Sequence, residues 1–225
     1  PQLQDNYCYV LTYNKNAVII DPAESLSVIK YIKNNNLKII SILITHHHPD
    51  HVAGIKGILN YNNVPVYSPS ENIFGTSTVI KDRDNIDFDF INFKVIATPG
   101  HTLDHKIFYS QNNKILFSGD TLFRLGCGKV FEGTYEQMHD SLNKINNLEN
   151  QTWVYCGHEY SLSNVNFLIS VFENNKTIVN EKKKIEELML KKNCSIPFKL
   201  GDEKTINPFL SSESDFYNEF KSKKN

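Results

Sequence analysis

Cysteine is scarce in this chain of 225 residues: Cys8, Cys127, Cys156 and Cys194 are scattered, with no CxxC pair. That spacing speaks against a thiolate zinc cluster, and in a chain this long against a small domain stapled by disulfides. Reduced thiols of a cytosol-like compartment fit better. Long apolar runs are missing too. None approaches the roughly 20 residues that cross a bilayer, and no cleavable signal pattern is seen. Nor does either charge dominate: 24 Lys and Arg against 25 Asp and Glu give a net charge of −1, with no general pull towards nucleic acid or an anionic membrane. No repeat of solenoid type is present. The chain opens on Pro1 rather than a methionine, as a processed N-terminus or a sequence beginning inside a longer one would. What these absences leave is a globular chain long enough to bury a core, as one large domain or one domain plus a smaller one.

Up to about residue 160 the pattern is strands alternating with turns and a few helices. Residues 7–13 and 17–21 read as a hairpin turning at Asn14–Asn16. Residues 25–36 read as a helix with Leu26, Ile29 and Ile32 on one face and Ser25 as its cap. "LKIISILIT" (37–45) is β-branched and reads as a buried strand. A short helix over 52–61 is followed by strands at 64–67, 88–97, 106–110 and 114–118. The spacing of Met138, Leu142, Ile145 and Leu148 predicts an amphipathic helix over 134–148, and 152–156 is the last clear strand. Beyond Tyr160 no strand pattern remains. Residues 164–172 and 177–192 read as helices, the second with Ile178, Ile185, Leu188 and Met189 on one face, and Pro197 and Pro208 interrupt the remaining stretch.

Histidine is where the sequence concentrates. "THHHPDH" (45–51) carries four of the eight in six positions, with Asp50 among them. The strand before it stops at this cluster, and three more apolar strands stop at His101, Asp120 and His158, each just after a glycine. Ligand types at several strand ends can converge on one sheet edge, and a glycine lets the chain turn sharply and approach an ion closely. Within the loop, His46 and His48 are two apart and project to one side, while His47 projects to the other. Pro49 forces a turn, so Asp50 and His51 come from a new direction. That suits two metal centres sharing a cleft, and imidazole with carboxylate favours Zn, Fe or Mn over Cu(I). Asp21, ending a strand, either orients a ligand histidine from behind or simply turns the chain with Pro22. His105 reads as a supporting or core residue and His139 as surface. Cys127 and Cys156 read as packing residues.

The stretches "LQDNYCYVL", "IIDP", "THHHPDHVAG", "TPGHTLDH", "FSGDTLFRLGCGKVFEGT", "VYCGHEYSLSN" and "NPFL" resemble the metallo-β-lactamase superfamily. Within it they resemble glyoxalase II, the hydroxyacylglutathione hydrolases. The HxHxDH loop marks only the superfamily; "GDTLF", "GCGK" and "GHEY" with the helical tail are the narrower signal. The resemblance implies an α+β fold: a metallo-β-lactamase-like αββα sandwich followed by a small C-terminal helical domain. Residues 1–160 would be the catalytic domain and 161–225 the helical substrate-binding domain. It implies His46, His48 and His101 on one metal, Asp50, His51 and His158 on the other, and Asp120 bridging, with Asp50 and Asp120 catalytic. Lys129 and Tyr160 would contact glutathione. A tyrosine frequent in the family is Phe131 here, and the family's C-terminal Arg-x-x-Lys is Lys221-x-x-Lys224, which keeps charge but loses the guanidinium fork.

The expectation is therefore hydrolysis of S-D-lactoylglutathione to glutathione and D-lactate at two divalent ions, Zn first and Fe or Mn as alternatives. The protein would be a monomer in the cytoplasm, or alternatively an organellar matrix, with no nucleic-acid or membrane partner. Rivals within the superfamily are a lactonase, a β-lactamase-like amidase and a glutathione persulfide dioxygenase with one iron; the helical extension and "GHEY" count against the last. A nuclease of the same fold is opposed by the charge balance, and an inert metal scaffold by the full ligand set.

Overall fold

Alternation along residues 17–20 sends Ala17 and Ile19 to one face and Val18 and Ile20 to the other, and both faces are buried. A strand buried on both sides needs a layer above and below it, and the computed structural model, which describes residues 1–210, supplies both. The first sheet contains β1 (Tyr9–Tyr13), β2 (Asn16–Ile20), β3 (Lys38–Leu43), β4 (Val66–Ser68) and β5 (Thr78–Val79), in that order. The second has β6 (Asn85–Asp87), β7 (Asn92–Ala97), β8 (Lys106–Ser110), β9 (Ile115–Gly119), β12 (Trp153–Cys156) and β13 (Phe198–Lys199), ordered β13-β12-β9-β8-β7-β6. Between the sheets lie Val18, Ile20 and Leu43 from one and Phe93, Val95, Phe108 and Phe117 from the other. Helices α1 (Ser25–Asn34) and α3 (Ile55–Tyr61) cover the outer face of the first sheet through Val28, Ile32, Ile55 and Ile58. Helix α4 (Tyr135–Asn146) covers the second through Met138, Leu142 and Ile145. The layers are α/β/β/α.

Several local expectations shift. The first hairpin turns on Asn14 and Lys15, both at positive φ (45° and 66°), as a two-residue type I′ turn demands. In α1 the buried residues are Val28 and Ile32, while Leu26 is 78% exposed. Leu26 lies about 200° around the helix from Val28, so of the stripe Leu26, Ile29 and Ile32 only Ile32 is fully buried. Glu24, not Ser25, sits at the N-cap, with no side-chain bond. The helix expected over 52–61 is α3, starting at Ile55, and a separate short helix α2 (Pro49–Val52) precedes it, with Pro49 in its first turn. Residues 88–97 contain the bend of the β6–β7 hairpin, with Asp89 at φ 61°. Helix α4 starts on a full capping box between Thr134 and Gln137.

The region after Tyr160 forms α5 (Ser161–Val171), α6 (Lys176–Lys192) and α7 (Leu200–Ile206), packed around Val165, Leu168, Phe172, Ile178 and Ile185. It is not free of strand: β13 pairs antiparallel with β12, Phe198 opposite Val154. Two residues are too few for alternation to register in a sequence. The short hairpin β10 (Leu122–Phe123) and β11 (Gly126–Cys127) ties this region down from its turn. Arg124 donates to Glu181 Oε1 at 2.6 Å and to the Ser195 carbonyl at 2.8 Å, and Leu125 N–H donates to Glu203 Oε2 at 2.7 Å.

Candidate metal centre

Strand direction assembles the site. β2 and β3 are parallel, and in the other sheet β7, β9 and β12 share one direction, because β8 runs antiparallel to both β7 and β9 and β12 is parallel to β9. Their C-terminal ends lie along one edge of the sandwich. From that edge come Asp21, the 45–51 loop, His101, Asp120 and His158. Gly119 adopts φ +48° as the chain leaves β9, and at Gly157 a Cβ would lie 2.2 Å from Asp120 Oδ1, so only glycine admits the carboxylate there.

Seven predicted residues meet at this edge. Ligand-type atoms of His46, His48 and His101 lie within 4.8 Å of one another, as do those of Asp50, His51 and His158. Asp120 stands between the trios: its Oδ2 is 3.4 Å from His101 Nε2 and 3.2 Å from His158 Nε2, and its Oδ1 is 3.4 Å from His51 Nε2. His48 Nδ1 lies 3.2 Å from His46 Nε2 and 3.0 Å from His101 Nε2. An ion holding nitrogens at about 2.0–2.1 Å in a tetrahedron keeps them roughly 3.3 Å apart, so the spacing fits one.

The surrounding bonds fix which ring nitrogen faces inward. His101 Nδ1–H donates to the Lys129 carbonyl at 2.8 Å, His158 Nδ1–H to Asp5 Oδ1 at 2.8 Å and His51 Nδ1–H to Asp21 Oδ2 at 3.0 Å. The Thr45 hydroxyl donates to Asp21 Oδ2 at 2.6 Å and so accepts from His46 Nδ1–H at 3.0 Å. In all four rings Nε2 therefore faces the centre, and in the neutral form each would turn a lone pair there, the state that binds a metal. Lone pairs converging at about 3 Å repel unless a cation or proton lies between them. Asp120 Oδ1, buried with no hydrogen-bond partner, is a further acceptor in want of a cation.

Electrostatics separate the two trios. Burial, then the neighbouring His51 and His105, holds His46 well below the usual histidine range; burial likewise lowers His48 and His101. In the second trio burial opposes protonation, but carboxylates overcome it. Asp120, Asp21 and Asp50 raise His51, and the bonds of His158 to Asp120 and Asp50 push it up to about 10. The hydrogen bond from His158 holds Asp50 well below the carboxylate range. Burial would raise Asp120, yet His51, His158 and His101 hold it at about 2. Both carboxylates are ionised at neutral pH, and the second trio draws positive charge strongly. Imidazole with carboxylate suits divalent zinc, iron or manganese alike.

The other predicted residues divide between the rim, the core and the surface. His47 faces away from both trios, towards Asp104 and Glu132. Asp21 both holds His51 and, at φ 50°, turns the chain. His105 is fully buried behind the site, its Nε2 accepting the Asp120 N–H at 3.0 Å. Tyr160 stacks on His158 at 4.7 Å and 7°. Phe131 sets its ring edge-on to His101 and His48 at 5.3 and 5.7 Å, and the Lys129 ammonium lies 4.8 Å from the Phe131 ring centroid. Cys156 packs in the core beneath α4, and burial pushes the Cys127 thiol up to about 12. His139 is on the exposed side of α4. Lys221 and Lys224 lie outside the described residues. Sequence reasoning gave no role to Asp5, which holds His158, or to Asn6, whose amide donates to Asp50 Oδ2 at 2.8 Å. The one signal was the pair's place in "LQDNYCYVL"; only folding brings it across to β12.

Known proteins match this arrangement along the chain. The family model of the metallo-beta-lactamase superfamily matches residues 3–158, and that of the hydroxyacylglutathione hydrolase C-terminus matches residues 159–224. The hydroxyacylglutathione hydrolase of Wigglesworthia glossinidia brevipalpis is 44% identical over 92% of this chain and 83% of its own. That of Salmonella paratyphi C (strain RKS4594) is 42% identical over 97% of this chain and 88% of its own. Among solved structures, the BLEG-1 B3 metallo-beta-lactamase superposes with a TM-score of 0.69 at 24% identity, covering 93% of this chain and 95% of that one, a likeness of fold.

Proposed function

The chain belongs to the hydroxyacylglutathione hydrolase family of the metallo-β-lactamase superfamily, and we propose that it hydrolyses S-D-lactoylglutathione and related 2-hydroxyacyl glutathione thioesters to glutathione and the free hydroxy acid. The observation that carries this reading is the convergence of seven ligand-type side chains, with the Nε2 atoms of four imidazoles facing inward. His46, His48 and His101 would hold one divalent ion, Asp50, His51 and His158 a second, and Asp120 would bridge them. Zinc is the first choice. Bound there, two such ions would supply a water of near-neutral pKa and polarise the thioester carbonyl.

The chain's own residues do the rest. Asn6 holds Asp50 Oδ2, and Asp50 keeps 37% of its side chain open, where it accepts a hydrogen bond from the attacking water and orients it. Asp5, Asp21, Thr45 and the Lys129 carbonyl keep the imidazoles in register. A thiolate is a good leaving group, so no separate general acid is required. Tyr160, Phe131 and Lys129 form a rim suited to the glutathione moiety, with Lys221 and Lys224 as further cations for its carboxylates. In domain terms, residues 1–160 would carry the chemistry and 161–225 help to hold the substrate. Four unpaired cysteines fit a reducing cytoplasm, where the protein would work as a monomer.

The test is hydrolysis of S-D-lactoylglutathione beside a lactone, a β-lactam and a glutathione persulfide, with metal analysis of the same sample. The expected result is turnover of the thioester with at least two divalent ions per chain. A two-metal protein inert towards the thioester, or oxygen uptake with one iron, overturns it.

A further inference from the structure

His47 turns its back on both trios, and what it faces is another set of donors. Its Nδ1 lies 3.0 Å from Asp104 Oδ1 and its Nε2 3.2 Å from Glu132 Oε1. One ligand-type atom from each of the three lies within 4.8 Å of the other two. They come from three separate loops, following β3, β7 and β11, so sequence proximity does not force the meeting.

Both carboxylates are held ready. The Thr102 hydroxyl donates to Asp104 Oδ1 at 2.6 Å, and the Leu103 N–H donates to Glu132 Oε2 at 2.9 Å. Each acid thus has one oxygen tied to the 101–104 loop. Of the other two, Glu132 Oε1 points to His47, while Asp104 Oδ2 is buried with no hydrogen-bond partner, a condition costly to leave unrelieved. The Lys106 ammonium, the near cation, is spent on the Asp104 backbone carbonyl at 2.7 Å. Among the described residues no Lys or Arg forms an ion pair with either carboxylate. Two carboxylates meet here beside one imidazole, a set of negative charge and nitrogen that suits a divalent ion. A surface cavity of about 440 Å³, lined by His47, Phe74, Leu103, Asp104 and Glu132 among others, opens a path to them.

We propose that His47, Asp104 and Glu132 form a third divalent-metal site, taking a first-row transition ion such as Zn²⁺ through one imidazole nitrogen and two carboxylates. It is separate from the seven-residue centre and independent of the reaction assigned there. An ion here would tie the loop carrying His46 and His48 to the loop that begins at His101, bracing the first trio from outside.

The test is Zn²⁺ uptake by chelator-stripped protein, followed by equilibrium dialysis and isothermal titration. The wild type is expected to bind one equivalent more than Asp104→Asn or Glu132→Gln, or to bind its last equivalent at least tenfold more tightly than either. His47→Ala should lose the same equivalent and keep those of the main centre. His139→Ala, which removes an exposed histidine elsewhere, should match the wild type. Circular dichroism confirms that each variant is folded, and two independent carboxylate variants guard against one that is not. Equal uptake by the wild type and the folded variants overturns the proposal and leaves a hydrogen-bonded clamp.

Discussion

Lys129 divides its two ends between two tasks. Its carbonyl accepts the His101 Nδ1–H, while its exposed ammonium stands over the Phe131 ring. The ring face helps to hold the cation at the rim. Replacing the side chain leaves the carbonyl in place, so metal content should hold. A cation that grips a remote carboxylate acts alike on ground and transition states. Lys129→Ala is therefore expected to raise KM for the glutathione thioester with kcat nearly unchanged, by about five- to thirty-fold for a bond worth roughly 1–2 kcal/mol. The effect should shrink in high salt, and a small thioester lacking the peptide should not feel it. A fall in kcat at constant KM would place Lys129 in the chemistry instead. At this scale much was legible: His46, His48, Asp50, His51, His101, Asp120 and His158 were picked out by residue type and strand-end position, and they meet. Asp5, Asn6 and Thr45 were not, because a hydrogen-bond donor or acceptor has no spacing rule that marks its partner in space.

Among the elements, α7 and the β10–β11 hairpin share one buried acid. Burial pushes Glu203 up to about 7 from an ordinary 4.5, against the bonds from Leu125 N–H and Asn207 that favour its charged form. The folded state thus holds a proton that the unfolded state releases. The stability this contributes is full below about pH 4.5 and is lost as pH rises through 7, a change on the order of 3 kcal/mol. Urea unfolding of the wild type and Glu203→Gln between pH 5 and 8 should show the wild type losing stability relative to the variant as pH rises. Parallel curves would mean that Glu203 does not titrate there. The elements themselves were read with mixed success, for physical reasons. β2 and β3 are short apolar runs rich in β-branched residues, and α4 has a clear stripe. α1 has apolar residues on too many sides, and only docking on the first sheet selects Val28 and Ile32. β10, β11 and β13, at two residues each, exist through their partners alone.

For the molecule as a whole, the candidate metal centre is a joint. It draws on β2, β3 and α2 from one half of the sandwich and on the ends of β7, β9 and β12 from the other. Ions that bind only the folded chain therefore stabilise both halves together. An ion at 100 times its Kd adds about 2.7 kcal/mol, or roughly 5–10 °C in Tm at about 2–4 °C per kcal/mol for a chain of this size. Scanning calorimetry before and after chelation should show a fall of at least that size, reversed by adding metal back. An unchanged Tm after verified metal removal would show that the two halves hold together without it.

The chemistry of the site was determined by the sequence alone. Seven imidazole and carboxylate groups stand at strand ends, and the period of an extended chain puts His46 and His48 together and turns His47 away. Donor type and short-range geometry are local properties, so a linear reading reaches them. What only the tertiary structure decided is everything that depends on a partner distant in the chain. This includes which ring nitrogen each histidine points inward, set by Asp5, Asp21, Thr45 and Lys129, and which groups His47 finds on the other side, Asp104 and Glu132. Those choices come from strand order and packing, which bring together residues that no period in the sequence relates.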